Sequence, residues 1–357
     1  MRQSPLFSPL TIGSMTLVNR ITVPPMCQYQ AKDGVPTTWH HVHYDKLAGS
    51  GASMVCIEAV GVAEKGRITI GCLGLWKDEQ IEPFAEVIKT MRAINPDIKV
   101  MVQLNHSGRK GSHDVQWGKG FLTPEEGGWE VKAPSAISAG SAYPVPAVMT
   151  KEDIELVIED YAAAAARAQA AGVDAIQLHA AHGYLMHQFL SPISNCRDDE
   201  FGGCLENRMR VPLRVFEAMK KAAPKVVLGV RVSATDWIDG GWDESDTIAF
   251  VNALKPLGCD FVDVSTGGTA EQQKVPVAYG YQLKHARLIK DACGLVTFGV
   301  GLIKDVRQAE SAIVEEACDA VGIGRQMLLD PHWGWRAALE LGVDVEFPPS
   351  YRRGMHL

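Results

Sequence analysis

The stretch HAAHGYLMHQFLSP, residues 179–192, carries the side chains best suited to chemistry. His179, His182 and Tyr184 stand where an apolar run, DAIQLHA (174–180), gives way to a glycine-containing turn. Three readings fit this spacing. The histidines can cap a strand end with hydrogen bonds and do nothing more. They can ligate zinc, which takes His with further His, Asp or Glu; His106 is available as a third donor, but no carboxylate lies nearby in the stretch. Or two ring N–H groups can grip one oxygen and stabilise the charge that develops there, with Tyr184 beside them as a proton donor.

Such groups need a rigid frame. Short β-branched runs at 21–25, 53–59, 99–106, 174–180, 226–233, 261–266, 295–301 and 320–325 read as strands. Several are continuously apolar, as parallel strands covered on both faces are. Helical patterns lie between them, at 78–93, 150–172, 205–222, 243–257, 281–292, 304–316 and 326–341. The alternation predicts an α/β fold, a (β/α)8 TIM barrel. The rival open, doubly wound sheet lacks a G-x-G-x-x-G after its first strand. LTIGSMTLVNR (10–20) predicts a small hairpin that plugs the barrel floor. The Gly-, Pro- and Trp-rich stretch 107–150 is a long excursion after the third strand, and excursions of that length are usually functional, here a lid.

Barrel sites form where the strands end. The first strand delivers Pro25, Met26 and Cys27; the second Glu58 and Ala59; the third Gln103, His106, Arg109 and Lys110. The fifth delivers Arg231, the sixth Ser265 and Gly267. GVGLIKD and GIGRQML turn the last two strands into helices and bring Gly299, Gly301, Gly324 and Arg325. Loops after strands seven and eight are a recurrent phosphate site, where backbone N–H groups and an Arg fork meet the anion. An Arg inside a strand needs a partner, here Glu58 or Asp263, or else a bound planar ring.

Composition narrows the classes. The 357 residues are 46% hydrophobic, enough for one large core in one domain over 1–357. A net charge of -7 without a Lys/Arg block argues against nucleic acid. MRQSPLFSPLTIG has no apolar h-region, so no secretory signal is expected, and no apolar run is long enough to span a bilayer. The eight cysteines show no C-x-x-C, which argues against disulfides and Cys-ligated clusters and for a reducing, cytoplasmic setting.

Together the segments NRITVPPMCQY (19–29), EAVGVAEKGRI (58–68), QLNHSGRK (103–110), APSAI (133–137), HAAHGYLMHQFLSPISNCRDDEFGG (179–203), ENRMR (206–210), VRVSATDW (230–237) and GIGRQMLLDP (322–331) resemble the Old Yellow Enzyme family, in its thermophilic-like and xenobiotic-reductase branch. The resemblance runs nearly end to end. It implies tightly bound, non-covalent FMN, reduced by NADPH or NADH, and reduction of an activated C=C bond. It places Pro25, Met26 and Cys27 along the flavin, Ala59, Gln103 and Arg231 at its ring, and Gly301, Gly324 and Arg325 at its phosphate. His179 and His182 then hold the substrate's carbonyl or nitro oxygen, Tyr184 gives the proton, and Tyr29 lines the pocket. The C-terminal YRRGM resembles a segment of the tail (343–357) that carries an arginine, here Arg353, into a neighbouring subunit, in a homodimer or a tetramer of dimers. Val60, Asn105 and Ser107 depart from the usual pattern. The chain lacks the cysteine cluster and the length of the dienoyl-CoA type of flavin reductase. A metal-dependent barrel hydrolase using His106, His179 and His182 competes with this assignment, as does a flavin-binding sensor.

Overall fold

A computed structural model describes residues 4–356; the ends of the expected domain, residues 1–3 and 357, lie outside the described residues. Eight parallel strands close a barrel: β1 (Ile21–Val23), β2 (Met54–Gly61), β3 (Lys99–Asn105), β4 (Ala175–Ala180), β5 (Val227–Ser233), β6 (Phe261–Ser265), β7 (Val296–Gly299) and β8 (Ala320–Gly322). Each pairs with the next, and β8 closes on β1 through Val321↔Ile21. The helices that follow them in turn are α1 (Thr38–Ala48), α2 (Ile81–Ile94), α3 (Lys151–Ala171), α4 (Leu205–Ala222), α5 (Glu244–Leu254), α6 (Leu283–Cys293), α7 (Val306–Val314) and α8 (Trp333–Leu341). This is the TIM-barrel order expected from the sequence.

The elements stop where local chemistry stops them. β1 ends at Val23, short of the expected 25, because Pro24 and Pro25 have no N–H for the ladder. α3 begins at the expected cap: Thr150 Oγ1 accepts the Asp153 N–H at 3.2 Å and Asp153 Oδ2 accepts the Thr150 N–H at 3.0 Å. It ends at Gly172, whose φ of +91° suits glycine. β7 and β8 are also shorter than expected, which leaves Val300–Gly301 and Ile323–Gly324 as loop. The sequence reading missed α1. Its inward face is His40, His43 and Tyr44 with only Leu47 and Ala48 behind them, and Trp39 and Val42 face out, so no apolar stripe marks it.

The hairpin Leu10–Ile12/Met15–Leu17 does plug the floor. Ile12 and Leu17 are fully buried in a cluster with Met54, Met101, Phe261 and Phe298 from the strand starts. Full burial of such a side chain is worth roughly 1.5–3 kcal/mol. With the floor sealed, the open end of the barrel is the strands' C-terminal end.

Candidate active site

Strand register brings the polar side chains to one level. Gln103 of β3 lies opposite Gln177 of β4, His179 of β4 opposite Arg231 of β5, and Arg231 opposite Asp263 of β6. They form a chain across the barrel: Gln103 Nε2 donates to Gln177 Oε1 (2.7 Å), Gln177 Nε2 to Asp263 Oδ2 (3.1 Å), and Arg231 Nε stands 3.2 Å from Asp263 Oδ2. Of the two carboxylates the sequence offered to Arg231, Asp263 is its partner. Burial pushes the Asp263 carboxyl up, against the pull of Arg231 and Gln177. A bulge between Ile57 and Ala59 sets Ala59 opposite Gln103 and leaves Glu58 on the other face. There its carboxylate accepts the Gln28 N–H at 2.5 Å and faces His40 Nε2 at 3.2 Å, so it anchors the Met26–Tyr29 loop.

His179, His182 and Tyr184 come together. The His179 ring centroid is 5.2 Å from that of His182 and 5.0 Å from that of Tyr184, both edge-on. Burial, and then Arg231, hold both imidazoles well below the usual range, so they are neutral near pH 7. His182 Nε2 lies 2.7 Å from Ser265 Oγ, which accepts from Gln282 Nε2 at 2.8 Å. A Ser265 hydroxyl that donates to His182 Nε2 leaves the His182 proton on Nδ1. On His179 it is Nδ1 that accepts, from the Ala181 N–H at 3.4 Å, which leaves an N–H on Nε2. Burial pushes the Tyr184 phenol well up, and it stays protonated.

A cavity of about 760 Å3 opens beside this cluster, within the range of small-molecule sites. Met26, His182, Arg231, Gly301, Gly324 and Arg325 are among its lining, with Met26 Sδ 3.6 Å from where a Gly324 Cβ would stand. Cys27 packs with Ala59, Cys72, Tyr29 and Tyr184. Burial, Glu58 and Cys72 all push its thiol up, so it is no thiolate. Tyr29 is half-buried with φ +54°, a left-handed conformation uncommon outside glycine. Arg353 is exposed in the 3-10 turn Pro349–His356, whose Tyr351 packs on Trp335 and His332 of the same chain.

His106 does not join the pair. Its Nδ1 accepts the Gly108 N–H at 3.0 Å and its ring covers Gly66, where a Cβ would come within 2.8 Å. Among the described residues no three His, Cys, Asp or Glu side chains converge as metal ligands, so the hydrolase reading loses its donor set. All eight cysteines are unpaired, five of them buried, as expected for small core residues. Among the described residues no helix is long and apolar enough to cross a membrane. Ser107 Oγ donates to Arg67 O at 2.7 Å and Val60 is fully buried; Asn105 is buried with its Oδ1 unpartnered.

Sequence reasoning missed three residues here. Gln177 completes the polar chain, and His187 and Asp236 lie directly beneath the 181–184 turn; Ser265, expected at the end of β6, lies against His182. Gln177 carried a usable signal: a polar side chain inside an apolar strand, at the height of Gln103.

Comparison with known proteins agrees with this geometry. Residues 5–343 match the model of the NADH:flavin oxidoreductase / NADH oxidase family. The NADPH dehydrogenase of Geobacillus thermodenitrificans is 39% identical over 351 residues, 98% of each chain. That of Bacillus subtilis is 38% identical over 351 residues, again 98% of each. Among solved structures, morphinone reductase superposes with a TM-score of 0.80 at 26% identity, covering 98% of this chain and 93% of that one. Its complex with tetrahydroNAD gives 0.78 at 26% identity, covering 97% and 93%. The chain therefore belongs to the NADH:flavin oxidoreductase family typified by Old Yellow Enzyme, and is an oxidoreductase that works with FMN and a nicotinamide nucleotide.

Proposed function

We propose that this oxidoreductase reduces C=C bonds activated by a carbonyl or nitro group. The observation that carries the reading is the trio His179, His182 and Tyr184: two neutral rings and one protonated phenol at a strand end, with the His179 centroid 5.2 Å from that of His182 and 5.0 Å from that of Tyr184.

The residues present fit FMN. Arg231 Nε is buried in an ion pair with Asp263 but makes no hydrogen bond, and Gly301, Gly324 and Arg325 add glycine backbone and a cation to the cavity lining. In this reading Pro25, Met26, Cys27, Ala59, Gln103 and Arg231 hold the ring, and Gly301, Gly324 and Arg325 take the phosphate. When bound and reduced by NADPH or NADH, FMN supplies hydride. His179 Nε2–H and His182 Nδ1–H together hold the substrate oxygen and draw electron density from the β-carbon. Because both rings are neutral, they polarise the oxygen without giving up a proton. Tyr184 protonates the α-carbon, and one rigid frame holds clamp and acid together. Tyr29 borders the substrate from the Cys27 side.

The same reading makes residues 1–357 one catalytic domain with 107–150 as its lid. Arg109 supports this: its guanidinium ties the excursion to the loop after β6, donating to Ile137 O (3.0 Å) and Thr269 O (2.7 Å). Arg353 serves a neighbouring subunit's pocket, in a homodimer or a tetramer of dimers; its exposure away from its own cavity suits that role. Eight unpaired thiols suit a cytoplasmic enzyme.

Tyr184→Phe tests the acid. Removing one hydroxyl should slow reoxidation of the enzyme by an enone about 10²–10⁴-fold and leave NADPH-driven flavin reduction within a few-fold. Equal loss of both steps would remove Tyr184 from the role.

A further inference from the structure

The turn Ala181–Tyr184 carries both the second histidine and the acid, and it is strained. His182 has φ +58° and Gly183 φ +71°. A Cβ on Gly183 would come within 2.3 Å of Gly268 O. Such a turn persists only where its surroundings over-determine it. Side chains take its backbone groups one by one. Ser233 Oγ accepts the His182 N–H (2.9 Å), Lys110 Nζ donates to His182 O (2.9 Å), and Gln188 Nε2 donates to Gly183 O (2.8 Å). The Gly183 N–H goes to His187 Nδ1 at 2.9 Å.

That last bond fixes a tautomer. An Nδ1 that accepts is bare, so the His187 proton sits on Nε2. Nε2 lies 3.2 Å from Asp236 Oδ1; Thr269 Oγ1, which itself donates to Asp236, stands 3.3 Å from Nδ1 and 3.4 Å from Nε2. His187 and Asp236 are both fully buried. Asp236 Oδ2 is occupied separately, by the Ser191 hydroxyl (2.6 Å) and the Trp242 N–H (2.9 Å).

We propose that the buried Asp236–His187 pair is the positioning device of the clamp: the carboxylate holds His187 in the Nε2–H tautomer, so that its bare Nδ1 pins the Gly183 N–H and sets His182 and Tyr184. For its catalytic readout this rests on the alkene-reduction reading; the tautomer itself does not.

Asp236→Asn is the discriminating change, because it is isosteric and reverses one polarity. Ser191 and Trp242 keep the amide oxygen at the Oδ2 position, so the new NH2 faces His187 Nε2. His187 must then move its proton to Nδ1, where it meets the Gly183 N–H, donor against donor. A buried hydrogen bond turned into an unsatisfied donor costs about 1–3 kcal/mol, or about 5- to 150-fold. The enone reoxidation rate should fall by at least about 5-fold, with flavin content unchanged. His187→Asn added to Asp236→Asn supplies an amide oxygen to Gly183 whatever residue 236 carries, and should restore the rate to within about 3-fold of wild type. A residue that merely stabilised the fold would not be rescued by a second substitution. Histidine 15N spectra report the tautomer without any substrate: His187 should be Nε2–H in wild type and Nδ1–H in Asp236→Asn.

Wild-type rates in Asp236→Asn, a double variant no faster than Asp236→Asn, or a His187 protonated on Nδ1 in wild type would each overturn the proposal. A wild-type enzyme inert to enones that still shows the tautomer switch would sink the alkene reading and keep this one. Should Asp236→Asn fail to fold, His187→Asn near the wild-type rate with His187→Leu at least about 5-fold slower supports the pair, and His187→Leu at the wild-type rate overturns it.

Discussion

Lys110 offers the sharpest quantitative test of the proton-donor assignment. Its ammonium lies 5.0 Å from the Tyr184 ring centroid and donates to His182 O (2.9 Å) and Gly268 O (3.1 Å). Burial, and then the like charge of Arg109, push it down to about 8. A cation there stabilises the negative charge that Tyr184 acquires as it gives up its proton. A full charge pair about 5 Å apart at an effective dielectric constant of about 20 is worth about 3 kcal/mol. A proton half transferred uses half of that, or about tenfold in rate. Lys110→Met should therefore slow enone reoxidation about tenfold, read by stopped-flow absorbance, and leave flavin reduction by NADPH nearly unchanged. The wild-type reoxidation rate should also fall about tenfold as pH rises through about 8, where Lys110 loses its charge, and the Lys110→Met profile should be flat there. His179 and His182, already neutral, and Tyr184, still protonated, do not titrate in that window. Stability runs the other way. A lysine lowered from 10.5 to about 8 is charged in the unfolded chain while neutral in the fold, so the unfolded state binds more protons between those values. The fold should gain at most about 3 kcal/mol across that window, visible as a rising melting temperature. A Lys110→Met enzyme that reoxidises at the wild-type rate, or a wild-type rate flat from pH 7 to 9, would refute the argument.

Two further outcomes test the frame around the site. Arg231→Met leaves Asp263 buried beside Gln177 without its cation and should cost about 3–5 kcal/mol in denaturant unfolding, most of it recovered in Arg231→Met/Asp263→Leu. Ile12→Ala, on the opposite end of the barrel, should cost about 2–5 kcal/mol and leave the flavin spectrum and turnover of the folded enzyme unchanged.

The barrel was legible because its signals are local and repeated. Apolar runs of strand length, the Thr150 cap and the Gly172 stop each stand within a few residues of sequence. So was the level of the site, since the strand ends share it. Residues bound by tertiary partners were not. α1 turns histidines inward because Glu58 and the Met26–Tyr29 loop need holding, and no periodicity announces that. Asp236 stands in SATDW as an ordinary loop acid; only the packing of the β5–α5 loop under the 181–184 turn brings it to His187. The hydrolase reading failed for the same reason, since sequence spacing cannot show that His106 is committed to Gly108 and Gly66.

The central claim is the pairing of FMN with a carbonyl clamp, and an anaerobic absorbance titration tests it most directly. Purified protein loaded with FMN should show flavin bands that bleach with NADPH and return when 2-cyclohexenone is added in excess. Bands that bleach and stay bleached with the enone would contradict alkene reduction, and a protein that takes up no FMN would contradict the site itself.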